Sequence, residues 1–195
     1  MRKTRRFALS ILVFALLLSL IGSGRASAAG GGGAGEVVGY YASWAAAQGH
    51  TPDKLPAEQF TQINYAFAKL EDGRAVLGDP VRDGKTLREL TGLRKRNPDL
   101  KIVLSLGGWD DSAGFSDAAA SAEGRRMFAR SCVDLLLAHG LDGVDLDWEY
   151  PVSGGAPGVV HRPQDKQNFT LLLRELREAL DRQGQRDGKR YVLTV

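Results

Sequence analysis

The sequence predicts an α/β fold built on a parallel β-sheet, and three observations support this class. Five runs rich in β-branched and aromatic residues alternate with segments in which leucines recur at helical spacing. An acidic row closes the fourth run, and parallel barrels carry their active sites at such strand ends. No glycine-rich phosphate-binding fingerprint follows the first run. These patterns leave a (β/α)8 barrel or a doubly wound sheet, and they disfavour the dinucleotide-binding form of the latter.

The strands are predicted from short runs of Val, Ile, Leu and aromatic residues bounded by turn residues. Asp72-Gly73 is a predicted turn between two such segments. The predicted strands cover residues 36–44, 62–68, 101–106, 144–150 and 190–195.

The helices are predicted where apolar residues repeat every three or four positions. Ser121 supplies the hydroxyl expected of an N-cap, while Gly140 and Gly184 are expected to end the second and third helices. The predicted helices cover residues 85–95, 121–139 and 164–183, with a short helix near 56–60.

The first 28 residues have the pattern of a secretory signal peptide. Basic residues precede an apolar run, and Ala26-Ser27-Ala28 matches a cleavage site. An uncleaved membrane anchor is the alternative, although the apolar run is short for a span, which needs about 20 residues. We therefore predict secretion, a flexible glycine-rich lead-in over residues 29–35 and a folded domain over residues 36–195.

Removal of the signal peptide changes the charge of the chain. The formal net charge of +3 becomes −2, because residues 1–28 hold five basic residues and no acidic ones. A mildly acidic chain gives no reason to expect nucleic-acid binding and suits a neutral polysaccharide. Cys132, the only cysteine, is predicted to be a core residue. The histidines lack metal-ligand spacing, so we expect neither a metal nor a cofactor.

Three acidic residues alternate with apolar ones in the fourth predicted strand. Asp145, Asp147 and Glu149 therefore share one face of the strand, roughly 6.5–7 Å apart. A solvated edge strand is one explanation, but the fully apolar opposite face favours a buried strand. Like charges in such a row repel, so Glu149 is expected to be kept protonated by Asp147. A neutral carboxylic acid is the group that donates a proton in glycoside cleavage.

Two sequence motifs in this chain resemble those of one protein family. Residues 142–151, Asp-Gly-Val-Asp-Leu-Asp-Trp-Glu-Tyr-Pro, resemble the DGxDxDWEYP signature of family 18 glycoside hydrolases, the chitinases, at every specified position. The preceding Ser105, Gly107, Gly108 and Trp109 resemble the SxGG motif on the third barrel strand of that family. The resemblance covers residues 36–195 and implies the (β/α)8 barrel. In that barrel the hydroxyl of Ser105 is expected to hydrogen-bond a carboxylate of the fourth strand.

The resemblance also implies a mechanism. Glu149 would protonate the oxygen between two N-acetylglucosamine units, while the N-acetyl carbonyl of the substrate attacks the anomeric carbon. Asp147 would orient the acetamido group, and Asp145, held by Ser105, would share charge and protons with it. Water activated by Glu149 would then release the sugar with retained configuration.

Aromatic residues cluster at the predicted strand ends. Tyr40, Phe67, Trp109 and Tyr150 match positions that line the sugar cleft in the family, where aromatic faces stack on pyranose rings. Core packing is expected instead for Tyr41 and Trp148, which should face the helices, and for Tyr65, which should fill the barrel interior.

Only about five barrel strands are present, so the sequence is interpreted as the front part of a longer protein or a truncated gene model. The resemblance places further site residues on the sixth and eighth strands, so we expect the 195-residue polypeptide alone to be inactive. The expected partner is chitin or a chito-oligosaccharide, with no membrane contact after signal cleavage and a monomeric full-length enzyme. Two alternatives stay open: an endo-β-N-acetylglucosaminidase, and a non-catalytic chitin-binding lectin.

Overall fold

A computed structural model describes residues 35–195, and their centre is a sheet of five parallel strands. The order in the sheet follows the chain, β1-β2-β4-β5-β6, and the short β3 pairs antiparallel with β2 through the predicted turn. The expected signal peptide and almost all of the lead-in lie outside the described residues. The strands are β1 Val38–Ala42, β2 Gln62–Glu71, β3 Arg74–Val76, β4 Lys101–Gly107, β5 Gly143–Asp147 and β6 Val192–Thr194.

Five helices connect these strands, and three longer ones carry apolar faces. Ser121 accepts a hydrogen bond from the Gly124 N–H and caps α4 as predicted, while Gly140 ends that helix in the left-handed region. The helices are α1 Pro80–Gly92, α2 Gly108–Asp111, α3 Phe115–Ala120, α4 Ala122–His139 and α5 Asp165–Asp187.

The end of α5 differs from the sequence prediction. Gly184 does not stop the helix, which continues to Asp187 and is capped by Gly188 at a φ of 66°. Gly184 is instead buried inside the helix, where an added Cβ would lie 2.3 Å from the Lys189 carbonyl oxygen. The glycine therefore serves the close return of the chain towards β6 rather than helix termination.

One face of the sheet packs against the helices and forms the core. Trp148 is buried there as predicted, with its ring 5.4 Å from the ring of Phe115 and 5.3 Å from that of Phe169. Tyr41 also lies on this face, and Cys132 is fully buried in the core. Loss of water around the thiol raises the pKa of Cys132.

The predicted place of Tyr65 in the barrel interior is wrong. Its ring stacks on that of Tyr41 at 6.5 Å on the helix-facing side, and burial beside Asp83 of α1 raises the pKa of its hydroxyl. The register of β2 against β4 shifts between Ala66 and Ala68, so a bulge breaks the alternation between Tyr65 and Phe67. The alternation of residues along the sequence therefore predicts the wrong sheet face for Tyr65.

The other face of the sheet is polar. Tyr40, Asn64, Ser105 and Asp145 lie on it in neighbouring strands, and Gln62 Nε2 donates to Asn64 Oδ1 at 2.7 Å. Asn64, Ser105 and Asp145 are buried, whereas 59% of Tyr40 is exposed. Polar side chains from neighbouring strands therefore meet on this face.

Candidate active site

The acidic row lies at the carboxyl end of β5. Asp145 is 2% exposed, and Asp147 and Glu149 are half-buried. The strand ends at Asp147, so Glu149 belongs to the segment after β5 rather than to the predicted strand 144–150. The apolar alternation persists nevertheless, since Leu146 and Trp148 are buried on the opposite side.

Asp145 is held by hydroxyl groups from three other strands. The hydrogen bond expected from Ser105 Oγ is present, at 2.6 Å to Asp145 Oδ2. Tyr40 OH donates to the same oxygen at 3.0 Å, and Thr194 Oγ1 donates to Oδ1 at 2.5 Å. Burial and the Asp145 charge raise the pKa of the Tyr40 hydroxyl, so it remains a donor. The innermost carboxylate is thereby fixed in position.

Asp147 is the central carboxyl of the acidic row. Burial raises its pKa, and the negative charges of Glu149 and Asp145 raise it further. The sequence predicts a retained proton on Glu149, and that assignment stays a prediction. Asp147 has a carboxylate neighbour on each side along the chain, and burial is the larger cause of its raised pKa.

The backbone of Glu149 is anchored by a residue that the sequence reasoning missed. Ser112 Oγ accepts the Glu149 N–H at 2.9 Å and lies 2.8 Å from Gly108 O and 3.1 Å from Asp147 O. On the other side, an added Cβ on Gly155 would lie 2.2 Å from Glu149 O. Ser112 follows the short α2, which carries no helical repeat and so gave no signal in the sequence.

Gly107 and Gly108 have φ values of 103° and 75°, which favour glycine. A Cβ on Gly107 would lie 2.3 Å from Asp147 O, and one on Gly108 would lie 2.7 Å from the Phe67 ring. Both glycines are therefore required for the close approach of β4 to β5 and to Phe67.

A cleft of about 400 Å³ adjoins this strand edge and is lined by Trp44, Phe67, Gly107 and Trp109. Trp44 and Trp109 are 52% and 54% exposed, so their faces are available for stacking on a sugar ring. Tyr150 is 48% exposed after β5 and is not among the residues that line the cleft. Trp44 ends the first predicted strand and is not among the aromatic residues that were predicted to line the sugar cleft.

The loop after Glu149 is fastened to α3. Asp165 is fully buried, and its Oδ2 accepts hydrogen bonds from Ser116 Oγ at 2.7 Å and Arg162 N at 2.8 Å. The Arg162 guanidinium reaches Ser116 Oγ and Asp117 Oδ1, at 2.5 and 2.6 Å. This network, which the sequence reasoning did not find, holds the loop that leads away from the acidic row.

Two features are absent from residues 35–195. No group of three or more His, Cys, Asp or Glu side chains within that range is arranged to hold a metal ion. No helix in the same range is both long and apolar enough to cross a membrane.

Carboxyl groups at the end of a parallel strand, beside exposed aromatic rings, define a candidate glycoside hydrolase site. Residues 36–195 match the model of the family described as Glycosyl hydrolases family 18. The chain belongs to that family, and its fold is of the (β/α)8 barrel type.

Known chitinases and a related glycosidase are similar to this chain over most of its length. Chitinase A1 of Niallia circulans is 40% identical, over 100% of this chain and 34% of the relative. A chitinase structure from Bacillus thuringiensis superposes with a TM-score of 0.76 at 34% identity, over 81% of this chain and 34% of that one. A family 18 N-acetylglucosaminidase from Paenibacillus barengoltzii gives a TM-score of 0.69 at 44% identity, over 82% and 44%. The chain thus spans about a third of the length of the curated relatives.

Proposed function

We propose that this chain supplies the acidic residues of a chitinase active site. Such a site hydrolyses β-1,4 linkages between N-acetylglucosamine units. The observation that carries the proposal is the coupled row of Asp145, Asp147 and Glu149 at the end of β5. Similarity to chitinases over the whole chain supports the substrate class. Trp44 and Trp109 in the adjoining cleft suit stacking on sugar rings.

The proposed reaction uses no protein nucleophile. The carboxylic acid of Glu149 gives its proton to the glycosidic oxygen as the bond from that oxygen to the anomeric carbon breaks. The N-acetyl carbonyl oxygen of the substrate forms a bond to the same carbon and produces a cyclic oxazolinium ion. Water then attacks the anomeric carbon, Glu149 takes a proton from it, and the ring opens to the sugar with retained configuration.

Asp147 and Asp145 support this cycle in different ways. Asp147 orients the acetamido group, and burial beside two other carboxyl groups raises the pKa of Asp147. Asp145, buried under Ser105, Tyr40 and Thr194, provides the fixed negative charge next to Asp147.

A chimera tests this proposal. Residues 36–195 would replace the matching segment of the Niallia circulans chitinase, and hydrolysis of chitotetraose would be measured. We expect turnover by the chimera and a 10²–10⁴-fold loss with Glu149→Gln, about the contribution of a general acid–base group. Glu123→Gln, in the exposed first turn of α4, is the matched control and should leave turnover unchanged. Equal turnover by both variants would remove Glu149 from the mechanism.

A second activity has one observation in its favour. The Paenibacillus barengoltzii neighbour is described as an N-acetylglucosaminidase and is 44% identical to this chain. Product analysis separates the candidates, since that activity releases only the monosaccharide whereas an endo-acting chitinase releases oligosaccharides from within the polymer. Chitin binding by the chimera without any hydrolysis would favour a lectin.

We extend the proposal to location and assembly. The pattern of residues 1–28 supports export and cleavage after Ala28, and the chitin substrate supports action outside the cell. The mass of the exported protein and its N-terminal sequence test the cleavage site. Light scattering tests the expected monomeric state.

A further inference from the structure

The carboxylate of Asp145 accepts hydrogen bonds from the strands on both sides of β5. Ser105 on β4 and Thr194 on β6 are its direct register partners in the sheet. Their hydroxyl groups bind different oxygens, Ser105 at Oδ2 and Thr194 at Oδ1. Strand pairing itself therefore brings the two donors to the buried acid.

The two carboxylate oxygens of Asp145 accept different numbers of hydrogen bonds. Oδ2 accepts two hydrogen bonds, from Ser105 and Tyr40, whereas Oδ1 accepts one, from Thr194, among residues 35–195. Without Thr194, Oδ1 would be a buried acceptor with no protein donor, and such an oxygen readily takes a proton from a neighbouring acid. Asp147 lies two residues further along the same face and is that neighbour.

We propose that Thr194 is a positioning residue that saturates Oδ1 of Asp145 and so keeps the shared proton on Asp147, next to Glu149. The inference rests on the proposed function. The titratable groups that face Asp147 are Asp145 and Glu149 on its own segment and Tyr40 on β1. The β4 and β6 neighbours contribute only Ser105, Gly107 and Thr194, which do not titrate in this range. Ser112, at the end of α2, reaches the Asp147 carbonyl oxygen, and the carboxyl groups of that helix are Asp110 and Asp111.

Three variants of the full chain test the role of Thr194. Thr194→Val keeps the shape and removes the donor, Thr194→Ser keeps the donor, and Thr170→Val removes an exposed hydroxyl that bonds Lys166 O on α5. Carbon NMR would follow the titration of the Asp147 carboxyl in each protein. We expect its midpoint to fall in Thr194→Val, because a proton that moves to Asp145 removes one of the negative charges that raise the pKa of Asp147. The serine and Thr170 variants should titrate as the wild type does.

An unchanged midpoint in Thr194→Val, or an equal shift in Thr194→Ser, would overturn the proposal. The pH profile of kcat in the chimera is a second measurement, for the case in which the valine variant alone fails to fold. Its acidic limb should stay in place with Thr194→Ser and move with Thr194→Ala. The titration does not depend on chitin turnover, so a shifted midpoint in a chimera that cleaves no chitotetraose would contradict the proposed function and support the positioning role.

Discussion

Ser112 Oγ accepts the backbone N–H of Glu149 at 2.9 Å, and this bond joins the end of α2 to the residue after β5. The same oxygen lies 3.1 Å from Asp147 O, so one hydroxyl holds the backbone on both sides of Trp148. The position of the proposed acid therefore depends on the hydroxyl group of a buried serine.

Replacement of Ser112 by alanine should lower both stability and turnover. The buried Glu149 N–H loses its acceptor, which costs about 1–3 kcal/mol in the free energy of unfolding. Ser131→Ala is the matched control, because Ser131 Oγ is also buried and accepts a backbone N–H, that of Ala75 at 2.8 Å. Denaturant unfolding should show similar losses for both variants, while kcat of the chimera falls only for Ser112→Ala. A normal kcat in Ser112→Ala would show that the bond is merely structural.

Alanine at Gly107 should be far more damaging than alanine at a glycine with a similar backbone. Gly158 has a φ of 95° and nothing within 4 Å of an added Cβ, so Gly158→Ala should cost about 1–3 kcal/mol from backbone strain alone. In Gly107→Ala the added Cβ also clashes with Asp147 O and the Phe115 ring. This clash should lower the free energy of unfolding by a further ~1–3 kcal/mol. Thermal and urea unfolding of the two variants would measure the difference, and equal losses would contradict the close packing of β4 on β5.

Asp147 should make stability depend on pH. A carboxyl whose pKa is raised on folding stabilises the protein below its ordinary pKa of 3.8, and that contribution is lost as the pH rises through the raised value. Asp147→Asn stays neutral, so its free energy of unfolding should fall less than that of the wild type between about pH 4 and neutrality. Urea unfolding across this range checks the sign, with Asp134→Asn on the exposed side of α4 as the control. A parallel decline in Asp147→Asn and the wild type would contradict the coupling of the acidic row.

Asp165 should control the order of the loop after Glu149. Asp165→Asn replaces one acceptor oxygen of a fully buried group and should cost about 1–3 kcal/mol. Asp117→Asn breaks only the exposed ion pair with Arg162 and should cost about 0–1 kcal/mol. Hydrogen exchange in residues 152–164 should accelerate in the first variant alone, and equal protection in both would remove Asp165 from this role.

Local sequence patterns were enough to predict part of the candidate site. Asp145 and Asp147 share a face because strand alternation is fixed by backbone geometry, and the Ser105 contact followed from adjacent strands in a parallel order. Ser121 and Gly140 also follow local rules, since capping involves residues within one turn of the helix. Such features are readable without tertiary structure.

The remaining features depend on contacts between distant segments. Thr194 reaches Asp145 only through the register of β6 against β5, which no pattern near residue 194 reveals. The bulge in β2 breaks the alternation between Tyr65 and Phe67, so the two side chains do not share a face. The close return of the chain at Lys189 makes Gly184 a packing residue rather than a helix stop. Tertiary packing decided each of these cases against the local rule.

The central claim is that this row of acids works together with the N-acetyl group of the substrate. Hydrolysis by the chimera of chitotetraose and of the same tetramer without its acetyl groups tests the claim most directly. The account predicts turnover of the acetylated tetramer, inhibition by a thiazoline analogue of the cyclic intermediate, and no measurable cleavage of the deacetylated one. Comparable cleavage of both tetramers would contradict it.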